Sequence, residues 1–230
     1  MAFASMLPAE TPVGPSTDRA AGLAEVSRRV SPTVLAVDRT LPVAPALAGL
    51  LPGGLRRGTT VGISGVGARS LALALLSAAT VTGSWAAVVG DRDLGLASAA
   101  EAGVDLQRLA VVDPPPPGVW GEMVAALVAA LDLVLVAPGY RVSGIVVRRL
   151  TARCRERGSV LIRVGDDPWP DRCDLRLTVL TGTWSGPDDG HGRLRSRRVE
   201  VVADGRGAAA GSSRSELFLP GPNGAASDAG

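Results

Sequence analysis

Residues 59–70 read TTVGISGVGARS, and the fold turns on this stretch. TTVGIS is apolar and β-branched enough to be a buried strand. Gly62, Gly65 and Gly67 punctuate its end, and Ala68-Arg69-Ser70 open a helical stretch over 69–80. Strand, glycine loop and helix N-terminus in that order form a cradle whose backbone N–H groups can hold a phosphate. The spacing from Gly62 to Gly67 fits the first two fixed positions of GxxxxGK[ST]. The chemistry of that motif does not follow. Its Lys reaches the β/γ-phosphates and its hydroxyl holds Mg²⁺, but here those positions are Ala68 and Arg69. Ala68 has neither charge nor donor. Arg69 comes one position late, about 100° further round a helix, and an Arg does not replace a Lys at such a site. Ser70 is a hydroxyl one position late. Gly62, Gly65, Gly67, Arg69 and Ser70 thus outline a degenerate nucleotide loop that has kept its shape.

The rhythm around the loop is that of an α/β fold. Strand-like apolar runs at 84–89, 109–112, 131–136 and 160–164 alternate with helical patterns at 96–102, 119–130 and 145–157. Continuous apolar strands separated by helices predict a mostly parallel sheet flanked by helices on both faces. The run LDLVLV passes straight into Ala137-Pro138, with no carboxylate to order a metal ion. Losing one preorganised group typically costs about 10²–10³ in rate. The loop lysine and the strand-end carboxylate are both absent, so the chain is expected not to be an enzyme and to use no cofactor.

Further on the pattern changes. CDLRLTVL (173–180) and RSRRVEVV (195–202) alternate polar and apolar residues across a Gly-rich loop, which predicts an antiparallel hairpin added to the sheet edge. The organisation read from composition is an N-terminal extension over 1–40 with a helix at 17–29, a core over 41–206 and a disordered Gly/Ala/Ser-rich tail over 207–230. The segment LPVAPALAGLLPGGLRRG at 41–58 is turn-rich. SELFLPGP is the one apolar island in the tail; Leu217, Phe218 and Leu219 have the form of a docking peptide, and an in-cis contact with the domain's own surface is the alternative.

The chain has 230 residues, 46% apolar and 3% aromatic, enough for one domain with a real core. It contains no lysine, and its net charge of +2 supplies no whole-chain field for nucleic acid or membrane. One His (His191) and two Cys (Cys154, Cys173) cannot build a zinc cluster, so no metal is expected. The thiols read as free in a reducing cytoplasm. MAFASMLPAETPVGPS lacks the basic region of a secretory signal. The uncharged stretch 70–90 is interrupted by Gly83-Ser84 and divides into helix, turn and strand rather than a membrane span.

Charge is uneven. Residues 141–198 hold thirteen Arg against seven acidic residues, whereas residues 1–140 hold nine against eleven. Arg148, Arg149, Arg153, Arg155 and Arg157 crowd one helical stretch and form a candidate DNA contact; a solvated helix face is the plainer alternative. Aromatic platforms for stacking single strands are scarce. Trp184, between Gly182 and Gly186, is either a plug over the sheet or a partner anchor. It joins Arg195, Arg197, Arg198 and the tail island as the candidate partner-binding surface.

From about residue 51 to 207 the chain resembles the RecA family core. LPGGLRRG resembles the segment leading into the loop strand, and AAVVGDRDLGLASAAEAGVDLQRLAVVDP the second strand, helix and third strand. SVLIRVG resembles the strand before the second DNA-binding loop, and RLTVL with RVEVVADG the terminal hairpin. The resemblance places Asp91 where that family keeps a catalytic Glu, one methylene longer. Residues 137–144 and 165–172 are short for the family's DNA-binding loops, so filament formation on DNA is not implied.

With its eroded loop and TWSG…GHGRLRSRR, the chain is similar to the ImuA group, in its actinobacterial ImuA-prime form. That resemblance implies a non-catalytic adaptor of a DNA-damage-inducible (SOS) mutagenic translesion complex. Its implied partners are a Y-family polymerase-like protein of the ImuB type and, indirectly, an error-prone C-family polymerase, with single-stranded DNA as a further contact. Two alternatives stay open: a residual ATP-dependent DNA-binding ATPase using Arg69, Ser70 and Asp91, and a SulA-like cell-division inhibitor.

Overall fold

In the computed structural model, which describes residues 39–186, 191–205 and 211–229, the glycine-ended strand lies inside a nine-stranded sheet. The helix expected at 17–29 and the rest of 1–38 fall outside the described residues. In chain order, β1 (Thr40–Leu41) and β2 (Leu55–Arg56) pair as a small antiparallel sheet around a 3-10 turn at Pro45–Leu47. Then come β3 (Thr60–Gly65), α1 (Ala68–Val81), β4 (Ala86–Val89), α2 (Leu96–Glu101), β5 (Leu109–Val112), α3 (Pro117–Ala130) and β6 (Leu133–Val136). The chain continues through α4 (Gly144–Arg157), β7 (Val160–Val164), β8 (Leu175–Ser185), β9 (Ser196–Gly205), β10 (Gly211–Phe218) and β11 (Ser227–Asp228).

Across the sheet the order is β5-β4-β6-β7-β3-β8-β9-β10-β11. From β5 to β8 every pairing is parallel, and from β8 to β11 every pairing is antiparallel. Alternate residues feed opposite cores. Val88, Leu133, Leu135 and Ile162 join one cluster with α1 and the 41–55 segment; Val89, Val134, Val136 and Leu161 join another with α3 and α4. Burial on both faces is why these strands read as unbroken apolar runs.

The helices follow from the same chemistry. Ten of the fourteen α1 residues are buried, led by Leu71, Leu75 and Leu76. α4 buries a stripe of Val147, Leu150 and Cys154, spaced three and four apart, with Val146 packed beside it and Ile145 left exposed. Ser143 caps its start and Gly158, with φ 71°, ends it in the left-handed region. α3 starts at Pro117, where a missing N–H costs nothing. No described helix is long and apolar enough to cross a membrane.

Two expectations are corrected. The hairpin is not an edge ornament: β8 joins β3 in parallel, and β9 is followed by two more strands. Nor is the described part of the tail, 211–229, without regular structure. Within 207–230, β10 pairs with β9 from Gly211↔Gly205 to Phe218↔Arg198. Its serines hide the strand. Ser213 and Ser215 alternate with the exposed Ser212, Arg214 and Glu216. Ser213 donates to the Leu50 carbonyl at 3.2 Å, so this strand rests on the 41–55 segment through small hydroxyls before Leu217 and Leu219 enter the core.

Candidate functional site

The glycine loop leaves β3 at the centre of the sheet and turns into α1. Gly65 and Gly67 take φ of 89° and 93°, a region that penalises any side chain. A Cβ on Gly65 would also run into the Val179 carbonyl of β8. The loop therefore has the glycine-dependent turn that the sequence promises.

The chain's own side chains occupy the loop's surroundings. Arg69, on the first turn of α1, places Nε 2.8 Å from Asp91 Oδ2 and Nη2 3.1 Å from Asp93 Oδ2. The Asp91 side chain is only 2% exposed. Its other oxygen accepts the Asp93 N–H at 3.3 Å. The hydrogen bond to Asp91 raises the Arg69 pKa, against a smaller lowering by burial, and the charges of Asp91 and Asp93 add to the rise. The one cation within the motif is thus bound to two carboxylates. Arg69 and Asp91, the two charged groups on which the ATPase alternative relies, are bonded to each other. A third carboxylate, Asp166 after β7, accepts the Gly65 N–H at 3.0 Å.

A cation comes to the loop from elsewhere. Arg197, on β9, is 6% exposed and donates to the Val66 carbonyl. Its guanidinium lies 5.8 Å from the Trp184 ring. It fills space that a Cβ on Gly67 or on Gly182 would take. No carboxylate pairs with it among the described residues. Arg163 on β7 is its counterpart: 9% exposed, bonded to the Asp167 carbonyl and 6.0 Å from the Trp169 ring. Sequence reading placed Arg197 on an exposed partner surface; burial corrects that. Gly182 inside a strand was the signal for it, since such glycines mark close approach.

Ser70 lines a groove of about 210 Å³ with Leu73, Ser98, Glu101, Trp184 and Leu219. β6 ends at Val136, and Ala137 follows with its N–H bonded to Val89 O at 3.1 Å. Among the described residues no cluster of His, Cys, Asp or Glu could hold a metal ion.

The arginines of α4 stand apart from this site. Arg148, Arg149, Arg155 and Arg157 are exposed and Arg153 half-buried. Arg155 reaches Asp174 at 3.5 Å; the other four have no carboxylate partner among the described residues. On the proposed partner surface, Trp184 is 42% exposed and Arg195 is exposed. Arg198 is tied to Glu216 of β10 through Nε at 3.1 Å. Leu217 and Leu219 are 1% and 2% exposed and Phe218 half-buried: the leucines of the island lie in this chain's own core, the in-cis contact, rather than in a free docking peptide. Both cysteines are free. Burial pushes the Cys154 thiol up to about 11 and raises Cys173 in the same direction.

Residues 49–171 match the family described as the MT3502 N-terminal domain. The chain is also 37% identical over 158 residues to the uncharacterized protein Rv3395c of Mycobacterium tuberculosis (strain ATCC 25618 / H37Rv), covering 64% of this chain and 74% of that one. With a glycine loop, a central parallel strand and an α1 start all inside the matched stretch, the chain belongs to the MT3502 N-terminal domain family.

Proposed function

We propose that this protein is a non-catalytic, RecA-like adaptor of a DNA-damage-inducible mutagenic translesion complex, acting in the cytoplasm. The carrying observation is the Arg69–Asp91–Asp93 cluster, which neutralises the motif's cation and buries the carboxylate that would have to polarise water. Ala68 in place of the lysine and the carboxylate-free end of β6 point the same way. A scaffold that retains a P-loop turn without its charges is suited to holding other proteins. The partner is a Y-family polymerase-like protein, with an error-prone C-family polymerase held indirectly. Arg148, Arg149, Arg153 and Arg157 of α4, which have no carboxylate partner among the described residues, supply a surface for single-stranded DNA.

Calorimetric titration of Mg-ATP, with and without single-stranded DNA, tests the first part. No heat at millimolar ATP is expected, and micromolar binding would overturn it. Gel filtration with the purified polymerase-like protein tests the second: co-elution is expected, and separate peaks would remove the adaptor reading.

A further inference from the structure

The two edges of the nine-stranded sheet are built differently. One is the two-residue β11 beside β10, whose Ser212, Arg214 and Glu216 are polar and exposed. A very short strand and charged side chains are the usual protection of an edge. The other edge is β5, Leu109-Ala110-Val111-Val112, which among the described residues pairs with β4 alone. It has no charge, no proline and no bulge. Val111 is 51% exposed, and Leu106 in the turn before it 38%. Val112 O accepts the Gly90 N–H at 3.1 Å, so Val112 faces β4, and the alternation of the backbone turns the N–H and C=O of Val111 to the open side. The flanks of the strand carry complementary groups. Gln107 and Arg108 precede it and Asp113 follows it. Arg108 is held by the Gly83 carbonyl at 3.1 Å and the Trp85 ring rather than by a carboxylate. Asp113 is exposed and has no ion-pair partner among the described residues.

We propose that β5 is an interface between two copies of this chain, paired antiparallel about a two-fold axis with Val111 opposite its own copy. The two Val111 residues exchange N–H···O bonds there, and their half-exposed side chains cover one another. Charge complementarity commits the edge to this occupant. An antiparallel pair sets the start of one strand against the end of the other, so Gln107 and Arg108 of each copy come beside Asp113 of the other, and the match is made twice. A parallel copy would set Asp113 against Asp113 and Arg108 against Arg108, which is unfavourable. Two strands of four residues make a small interface, so the association is reversible and depends on concentration. One continuous sheet then runs through both copies, and every other surface of the chain is presented twice. The inference goes beyond the adaptor reading and stands without it.

Sedimentation velocity of the full chain, from about 1 to about 200 µM, is the test. Monomer is expected at the low end and dimer at the high end. Val111→Lys sets like charges against each other across the axis and should weaken dimerisation about tenfold or more. Val81→Lys, at a still more exposed valine ending α1, should leave it unchanged. Asp113→Arg should weaken it and Gln107→Lys should strengthen it. Circular dichroism checks that each variant keeps the fold. A second readout needs no change of charge: a short bismaleimide should join Val111→Cys to its copy, and should join neither the natural chain nor Val81→Cys. A monomer at every concentration would overturn the interface, in favour of a different strand on that edge. A dimer indifferent to Val111→Lys, equal loss in Val81→Lys, or a Val111→Cys chain that is not joined would overturn it as well, in favour of another surface.

Discussion

Arg69 Nε lies 2.8 Å from Asp91 Oδ2, and this contact ties the first turn of α1 to the loop that follows β4. Arg69 is 53% exposed while Asp91 is 2% exposed, so the pair is asymmetric: the cation is half in water and the carboxylate is not. Removing the exposed member strands the buried one. Arg69→Ala is therefore expected to destabilise the domain by about 1–3 kcal/mol, the cost of an unsatisfied buried group, rather than the smaller value of a surface pair. Urea denaturation measures it. An unchanged midpoint would mean that water replaces Arg69 at Asp91 without loss.

Two glycines of nearly equal φ separate loop geometry from loop packing. Gly65 has φ 89° and Gly53 has φ 86°. A Cβ on Gly65 meets the Val179 backbone, whereas one on Gly53 meets nothing within 4 Å. Gly53→Ala should cost only the left-handed penalty of about 1–2 kcal/mol. Gly65→Ala must also push β3 off β8 and is expected to cost several kcal/mol or prevent folding. Similar thermal midpoints for the two variants would show that the β3–β8 junction yields.

The buried tail makes β10 part of the domain's stability. Leu217 is 1% exposed and its neighbour Leu219 is 2% exposed. Leu217→Ala should cost about 2–5 kcal/mol, as for other buried leucines, and a chain ending at Gly205 should not fold cooperatively. A truncated chain with an unshifted urea transition would contradict the placement of β10.

Alkaline pH provides an independent probe of the second core. The Cys154 thiol is raised to about 11 by burial, from an ordinary value of 9.0. The folded state then holds the proton more tightly than the unfolded state. The resulting stability is complete below about pH 9 and is lost as pH rises toward 11, with a total on the order of 2 kcal/mol. Cys173, also raised by burial, acts in the same direction. In Cys154→Ala the fall in stability between pH 8 and 11, followed by denaturant titration, should be shallower. An identical slope would place the titrating groups elsewhere.

What could be read from the residues depended on how far apart the interacting groups lie in sequence. Val88-Val89 and the LVLV of β6 advertise burial on both faces, so the parallel sheet was legible and its strand order was not. The loop Gly65–Gly67 was legible because its function as a turn is local. The partner of Arg69 was not, since Asp91 is 22 positions away and is brought close only by the α1–β4 connection. β10 was missed because Ser213 and Ser215 occupy positions where a strand more often uses valine. The charge of Arg197 argues for a surface place, but strand alternation sets it on the buried face with Val199, Val201 and Ala203, and Gly67 and Gly182 leave the hollow that holds it.

That hollow yields a coupling that can be measured. A Cβ on Gly182 would intrude on the Arg197 guanidinium rather than on backbone, and Gly182 has an ordinary φ. The cost of Gly182→Ala should therefore depend on whether the arginine is present. In the natural background the guanidinium must leave Val66 O and the Trp184 face, and a loss of about 1–2 kcal/mol is expected. In an Arg197→Ala background the space is vacant, and Gly182→Ala should cost nothing or stabilise slightly, since alanine has less backbone freedom to lose than glycine. The interaction energy from this double-mutant cycle should be about 1–2 kcal/mol. A value near zero, with Gly182→Ala harmless on its own, would mean that Arg197 swings out freely. Its bond to the glycine loop would then be too weak to hold the cation there.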